Sequence, residues 1–115
     1  MKKPNIYIRF LRLVDALNSK SHVRKLDSIE SQLLDNIMLD DQEDRAVFVG
    51  DLLGLSALGS QATLHGRVQN LRYLGYVDLI TQLDARRKRV MPTSQAYKHF
   101  EMLAGCMEHA LEVPA

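Results

Sequence analysis

The stretch from Ser60 to Gly75 constrains the fold of this 115-residue chain more than any other part of its sequence. Ser60 is a typical first residue for a helix, because its hydroxyl can accept a hydrogen bond from a backbone N–H of the first turn. Gly75 is suited to end that helix, because glycine adopts a left-handed backbone conformation at little steric cost. Between them apolar residues recur at helical spacing, at Leu64, Val68, Leu71 and Leu74. The stretch therefore predicts a helix with one buried stripe.

The residues before Ser60 predict a second, shorter helix. From Val47 onward apolar residues recur at helical spacing, and this helix is expected to close near Gly54, with the glycine suited to a left-handed conformation. Residues 56–59 then form a turn. Two short helices joined by a glycine-containing turn are typical of a helix-turn-helix.

The residues after Gly75 predict a β-hairpin. Apolar, aromatic and β-branched residues alternate over 76–83, a polar turn with a basic tip follows at 84–88, and residues 89–91 resume the strand pattern until Pro92. Asp84 is expected to brace the turn. A hairpin that directly follows a helix-turn-helix forms a wing.

Two further helices precede the helix-turn-helix, and one follows the wing. The first is expected over residues 6–17 and the second over 28–39, where Asp27 and Glu30 form an acidic variant of the capping box. The acidic run 40–44 is expected to end the second helix in a solvated loop, because like charges repel. After Pro92 and the capping residue Thr93, apolar residues at helical spacing continue towards the end of the chain.

Length and element order predict one domain over residues 1–115, mainly α-helical with a small β-hairpin wing, in the α+β class. The winged helix-turn-helix core is expected over residues 27–92. The helices at 1–20 and 94–112 carry more apolar surface than one small core requires, and such surfaces usually mark interfaces. We therefore predict a homodimer whose interface contains Ile6, Tyr7, Phe10, Leu13, Val14, Leu17, Phe100, Leu103, Met107 and Leu111.

The absence of common catalytic motifs from the sequence argues against an enzyme. The sequence has no glycine-rich phosphate loop, no G-x-S-x-G elbow and no H-E-x-x-H, and its four histidines lack paired metal-ligand spacing. We predict no catalysis, no cofactor and no metal. Cys106 falls beside the apolar stripe of the last helix, where packing is the expected role and a redox-sensing thiol is the alternative.

The sequence also argues against a membrane protein. Arg9, Arg12 and Asp15 interrupt the apolar run near the N-terminus, so no secretory signal peptide is predicted. The longest uncharged stretch, residues 52–64, is too short and too polar to span a bilayer. We expect a soluble, cytoplasmic protein without a membrane partner.

Charge is segregated along the chain although the net formal charge is only +1. Residues 1–26 sum to +6, residues 27–51 to −7 and residues 60–99 to +5. A basic stretch in a nearly neutral protein suits a polyanionic partner, and a solvated face is the alternative. Four consecutive cations, Arg86, Arg87, Lys88 and Arg89, have no obvious internal partners, which favours an external polyanion.

The face of the 60–75 helix opposite its apolar stripe is mostly polar and includes two small residues. On a helical wheel this face, called here the outward arc, holds Gln61, Ala62, His65, Gly66, Gln69 and Tyr73. Ala62 and Gly66 would permit close approach of a duplex. Gln61 can make a bidentate contact to adenine, and His65 can donate to guanine N7 or to a phosphate.

Three residues beside the outward arc are also predicted to serve DNA binding. Thr63 and Asn70 carry hydroxyl and amide groups suited to phosphate or base edges. Arg67 is expected either to reach a phosphate or to pair with an acidic residue of the 27–51 segment. The predicted DNA-binding residues of this helix are thus Ser60, Gln61, Thr63, His65, Gly66, Arg67, Gln69 and Asn70.

Three stretches resemble the winged helix-turn-helix regulators of the multiple-antibiotic-resistance-regulator (MarR) type. They are Ser60-Gln61-Ala62-Thr63-Leu64, Leu71-Arg72-Tyr73-Leu74-Gly75-Tyr76-Val77, and Asp84-x-Arg86-Arg87 with Val90-x-x-Thr93. The resemblance covers about residues 27–97. It implies that the helix from Ser60 enters the DNA major groove, that Arg86 contacts the minor groove or backbone, and that the first and last helices interlock two subunits.

The sequence thus predicts a homodimeric, sequence-specific double-stranded DNA-binding protein, a bacterial or mobile-element transcriptional regulator. Phosphate contacts would supply affinity, and the helix over 60–70 would supply specificity. A small-molecule effector is left open. The alternative is a winged-helix adaptor whose basic hairpin meets an acidic protein, and a redox sensor acting through Cys106 is a weaker alternative.

Overall fold

Helices and strands follow one another in nearly the predicted order within residues 5–81 and 86–112, the part of the chain that the computed structural model describes. The elements are α1 (Ile6–Asn18), α2 (Ser28–Gln42), β1 (Val47–Phe48), α3 (Val49–Leu53), α4 (Gln61–Tyr73), β2 (Val77–Thr81), β3 (Lys88–Pro92) and α5 (Ser94–Leu111). The fold class, α+β with a helix-turn-helix and a wing, is confirmed. Among the described residues, no helix is long and apolar enough to cross a membrane.

The chain packs as two units. The winged unit, Leu26–Tyr97, contains α2, β1, α3, α4, β2, β3 and the start of α5. The terminal unit combines α1 with residues 98–112, which are the remainder of α5 and Glu112.

The core of the winged unit combines the apolar stripes of α2 and α4 with one face of the sheet. Its most deeply buried apolar side chains are Leu33, Leu34, Ile37, Leu64, Val68, Leu71, Val77 and Val90. Complete burial of one such side chain stabilises the fold by about 1.5–3 kcal/mol. The predicted stripe of α4 is confirmed for its first three members, while Leu74 is only partly buried.

The sheet is antiparallel in the order β1-β3-β2. In its register Val90 of β3 lies opposite Val47 of β1 and Leu79 of β2. Cross-strand neighbours share a face of the sheet, so this row faces the core. The adjacent row, Phe48, Arg89 and Ile80, therefore lies on the outer face.

The predicted start of the third helix is wrong. Val47 and Phe48 form strand β1 instead, because their backbones pair with the central strand β3. Helix α3 begins at Val49, two residues later than predicted, and the Phe48 N–H before it donates to the Asp51 carboxylate at 2.9 Å. The aromatic side chain of Phe48 is thereby placed on the sheet.

The expectation of a solvated loop over residues 40–44 is also wrong for its first half. Helix α2 continues through Asp41, whose carboxylate accepts a hydrogen bond from the Tyr97 hydroxyl. That hydrogen bond raises the pKa of Tyr97 above its ordinary value. The helix ends at Gln42; beyond it, Asp44 has a φ of 57°, and the N–H of Arg45 reaches the Asp40 carbonyl at 2.8 Å.

The two predicted glycine terminators behave differently. Gly54 does end α3, but its φ is −79°, so a left-handed conformation is not adopted there. Gly75 has a φ of +90° and follows the end of α4 as predicted. Two side chains from beyond the wing tie down this turn: the Thr93 hydroxyl donates to the Gly75 carbonyl at 2.6 Å, and Gln95 Nε2 donates to the Leu74 carbonyl at 2.9 Å.

Gly75→Ala is expected to lower the free energy of unfolding by about 1–3 kcal/mol, because alanine is strained at positive φ. An added Cβ would also lie 2.7 Å from Gln95 Oε1. The matched variant is Gly66→Ala in α4, where an added Cβ meets nothing within 4 Å. It should raise the free energy of unfolding by about 0.5–1 kcal/mol. Urea denaturation measures both, and equal effects of the two variants would contradict this explanation of Gly75.

Candidate nucleic-acid interface

Helix α4 is the predicted recognition helix, and its first turn is closed as expected. The Ser60 hydroxyl accepts from the Thr63 N–H at 3.2 Å and lies 3.0 Å from the Thr63 hydroxyl, to which it donates. The predicted N-cap is confirmed. Both hydroxyls therefore lie at the exposed N-terminal end of α4.

The start of α2 carries the predicted capping box. The Glu30 N–H donates to Asp27 Oδ1 at 2.8 Å, and the Asp27 N–H donates to Glu30 Oε1 at 2.9 Å. Glu30 is completely buried. Burying a carboxyl group costs free energy unless its oxygens are hydrogen-bonded. The groups that donate to the Glu30 carboxyl are therefore important for the stability of the fold.

Helix α4 supplies a further partner to each of these two carboxyl groups. Asn70 Nδ2 donates to Glu30 Oε2 at 2.9 Å, and Arg67 Nε donates to Asp27 Oδ2 at 2.7 Å. Asp27, Glu30, Arg67 and Asn70 are called here the polar network. Of the two expectations for Arg67, pairing with the acidic segment is the one that the structure shows. Both residues of α4 thus lie on its flank, between the buried stripe and the outward arc.

The outward arc itself faces solvent. Gln61, Ala62 and His65 are exposed, Gly66 and Gln69 are half-buried, and Tyr73 is 94% exposed. In the described part of the chain, the arc's polar side chains ahead of Tyr73 make no side-chain hydrogen bond to another residue. They are therefore accessible to an external partner.

The wing cations do not form one basic tip. Lys88 and Arg89 belong to β3 and so point to opposite faces of the sheet. The expectation that these cations lack internal partners is wrong for Arg86 and Arg87, since both interact within the chain. The guanidinium carbon of Arg87 lies 3.8 Å from the centroid of the Phe48 ring. This cation–π contact orders Arg87 next to β1. The predicted brace, Asp84, lies outside the described residues.

One cleft brings the recognition helix and the wing together. It has a volume of about 420 Å³ and is lined by Phe48, Val49, Gly50, Asp51, Leu53, His65, Arg86, Arg87 and Lys88. Among the lining residues that the structure describes, Asp51 is the one carboxylate that accompanies the three wing cations, and it already accepts the Phe48 N–H. The cleft is thus an electropositive surface suited to phosphate groups.

The terminal unit holds the predicted dimer residues, and every one of them is partly or largely exposed. Tyr7, Met107 and Leu111 are 65%, 59% and 62% exposed. A groove of about 400 Å³ between α1 and the end of α5 is lined by Ile6, Tyr7, Phe10, Met107, Ala110 and Leu111. Cys106 is buried, with its Sγ 3.8 Å from Met102 Sδ, as a packed thiol would be.

Sequence reasoning missed two contributors to this interface. Phe48 was assigned to a helix, so its contact with Arg87 was not foreseen. The capping box was recognised and pairing of Arg67 with the acidic segment was one of two expectations, but the contact between Asn70 and Glu30 was not foreseen. A signal for that contact is present, because the acidic pair 27/30 and the pair 67/70 share the same three-residue spacing.

Two solved structures are similar to this chain. One, "S. aureus MepR bound to ethidium bromide", matches with a TM-score of 0.66 and 16% identity over 90% of this chain and 71% of that one. The other, a MarR protein from Peptoclostridium difficile DA00132, matches with a TM-score of 0.58 and 19% identity over 92% of this chain and 63% of that one. No family model and no curated protein matches the sequence. The similarities show a MarR-like winged-helix fold.

Glu30→Ala is expected to lower the free energy of unfolding by about 2–4 kcal/mol, because it leaves the Asp27 N–H and the Asn70 amide without their acceptor in a buried place. Chemical denaturation followed by circular dichroism measures the loss. Glu108→Ala, an exposed glutamate of α5, is the control and should change stability by less than about 0.5 kcal/mol. A loss at Glu30 no larger than that of the control would show that the polar network does not join α2 to α4.

Proposed function

We propose that this chain, which has the MarR-like winged-helix fold, is a homodimeric transcriptional regulator that binds double-stranded DNA at specific sequences. The main support for this proposal is the cleft, which is lined by His65 of α4 and by Arg86, Arg87 and Lys88 of the wing. A helix with a free polar arc beside an electropositive wing suits a duplex, because the helix can enter the major groove while the wing lies on phosphates.

Specificity is assigned to the outward arc of α4. Gln61 and His65 are exposed near the N-terminal end of the helix, where a recognition helix meets base edges. Ala62 and Gly66 leave room for the duplex, and an added Cβ at Gly66 would meet nothing within 4 Å. Gln69 extends the same arc. The capping residues Ser60 and Thr63 are suited to a phosphate at the start of α4.

Affinity is assigned to the wing. Arg86, Arg87 and Lys88 lie in the cleft beside α4, and each neutralised phosphate releases condensed counterions. The Phe48 ring holds Arg87 in place before DNA arrives, which lowers the entropy lost on binding. Arg89 lies on the outer face of the sheet next to Phe48 and Ile80, and its part in binding is expected to be smaller.

Dimerisation is assigned to the terminal unit. The groove between α1 and the end of α5 is lined almost entirely by apolar side chains, which favours a second copy of this chain as its occupant. A two-fold dimer would present two α4 helices to half-sites about 34–36 Å apart, so its DNA site would be an imperfect palindrome. Such a regulator acts in the cytoplasm and needs no catalytic residue or cofactor.

The double variant Arg86→Ala/Arg87→Ala is expected to weaken binding to every duplex alike, with a salt slope shallower by about 0.9 for each phosphate that is no longer neutralised. Gln61→Ala should instead cost about 1–3 kcal/mol on the preferred duplex and relax the preference at one base position. Fluorescence anisotropy on a preferred and a scrambled duplex across a salt series measures both.

Lys98→Ala, an exposed cation of α5, is the control and should leave both affinities within about twofold. If Gln61→Ala weakened the two duplexes equally, the base-reading role would be refuted. If the wing variant kept its full affinity and salt slope, the wing would not lie on phosphates.

Met107→Glu is expected to convert the dimer into a monomer, because it places a charge in the apolar groove of the terminal unit. Met107 is 59% exposed in the single chain, so the monomer should remain folded. The control is Leu39→Glu, a similar change at a 67% exposed residue of the winged unit. Sedimentation equilibrium should show dimers for the control and monomers for Met107→Glu, and a persistent dimer in both would place the interface elsewhere.

A further inference from the structure

We infer that Asp27 limits the affinity of this protein for DNA, because it holds Arg67 in an ion pair and so withholds that cation from the phosphate backbone. The inference rests on the proposed DNA-binding function. It assigns to Asp27 a role beyond capping α2, and it adds a cation that the free protein does not present.

The ion pair between these residues is open to competition. Arg67 Nε lies 2.7 Å from Asp27 Oδ2, but the two side chains are 35% and 43% exposed. Ion pairs that remain in contact with water contribute little to stability. A phosphate that approached α4 could therefore replace the Asp27 carboxylate as the partner of Arg67.

The fold does not need this pair. Asp27 caps α2 through its other oxygen, Oδ1, which accepts the Glu30 N–H. The buried contact between Glu30 and Asn70 already joins α2 to α4. The apolar stripe of α4 anchors the helix independently. Release of Arg67 from Asp27 therefore leaves the position of α4 unchanged.

Arg67 also has a path towards the outward arc. It follows Gly66, where an added Cβ would meet nothing within 4 Å. With no side chain at that position, the long arginine stem can cross the flank of α4 and place its guanidinium at the helix surface. A released Arg67 would add one charge-assisted hydrogen bond to a phosphate per subunit.

Asp27→Asn is the direct test, since asparagine caps a helix as well as aspartate but carries no charge. We expect binding to the preferred duplex to tighten about three- to fivefold per subunit near 0.1 M salt, the most that a water-exposed ion pair can withhold, and the salt slope to steepen by about 0.9 for each additional phosphate that is neutralised. Thermal melting checks that the variant is folded, and Asp27→Ser, which also caps without charge, replaces it if it is not.

Three controls separate release of Arg67 from a general effect of charge. Arg67→Gln alone gives the reference affinity of a chain that lacks this cation, and Arg67→Gln combined with Asp27→Asn should bind no more tightly than that reference. Asp44→Asn removes the same charge beyond the other end of α2, about 22 Å away along the helix, which exceeds the Debye length of about 10 Å. It should change affinity by less than about twofold.

The outcomes are distinct. An unchanged or weaker affinity in Asp27→Asn overturns the inference, and so does a gain that persists in the Arg67→Gln background. If the wild-type chain binds duplexes and the two substitutions act additively, the inference alone fails. If the wild-type chain binds no duplex, the proposed function fails, and the inference fails with it.

Discussion

The buried carboxyl group of Glu30 is the constraint on which the arrangement of the winged unit depends. It is completely removed from water, so both of its oxygens require hydrogen-bond donors. Its donors include the N–H of Asp27, the N-cap of its own helix, and the Asn70 amide of α4. Only one rotation of α4 about its axis provides this amide and also buries the stripe at Leu64, Val68 and Leu71. That rotation turns the outward arc to solvent, which is the property that makes α4 a candidate recognition helix.

The wing is placed by a second set of constraints. Strand β3 lies between β1 and β2, so the short pairing with Val47 and Phe48 fixes the hairpin beside α3. The Phe48 ring then holds Arg87, and the cleft between α4 and the wing follows from the two placements together. The outward arc and the wing cations lie side by side because the polar network places α4, and the strand pairing and the Phe48 contact place the wing.

Regular elements with strong local signals were predictable from the sequence. Ser60 and Gly75 mark the ends of α4 by side-chain capping and by positive φ, which are properties of single residues. Strand β1 was not predictable, because Val47 and Phe48 are held in it by pairing with a strand about 40 residues later in the sequence. Helix α2 extends to Gln42, and the partner of Asp41 in this last turn, Tyr97, also lies far along the chain. Local pattern cannot show partners of this kind.

The sequence showed which residues lie at or near the candidate site, but not what each of them contacts. Gln61 and His65 lie on the accessible face that the helical wheel assigns to them. Arg67 and Asn70 are adjacent to that face, and the position of α2 decides that they bind carboxyl groups instead. Likewise, strand β3 places Lys88 and Arg89 on opposite faces of the sheet, which four consecutive basic residues in the sequence do not reveal.

The most direct test of a dimeric, sequence-reading winged helix is selection of duplexes from random DNA by the purified chain near physiological salt, with the mass of the selected complex measured by sedimentation. A dimer of this kind should select a palindromic motif whose half-sites are centred about one helical turn, or a multiple of it, apart, with two chains bound to each duplex. Recovery of no motif by a folded chain, or of an asymmetric motif bound by a single chain, would contradict the proposed function.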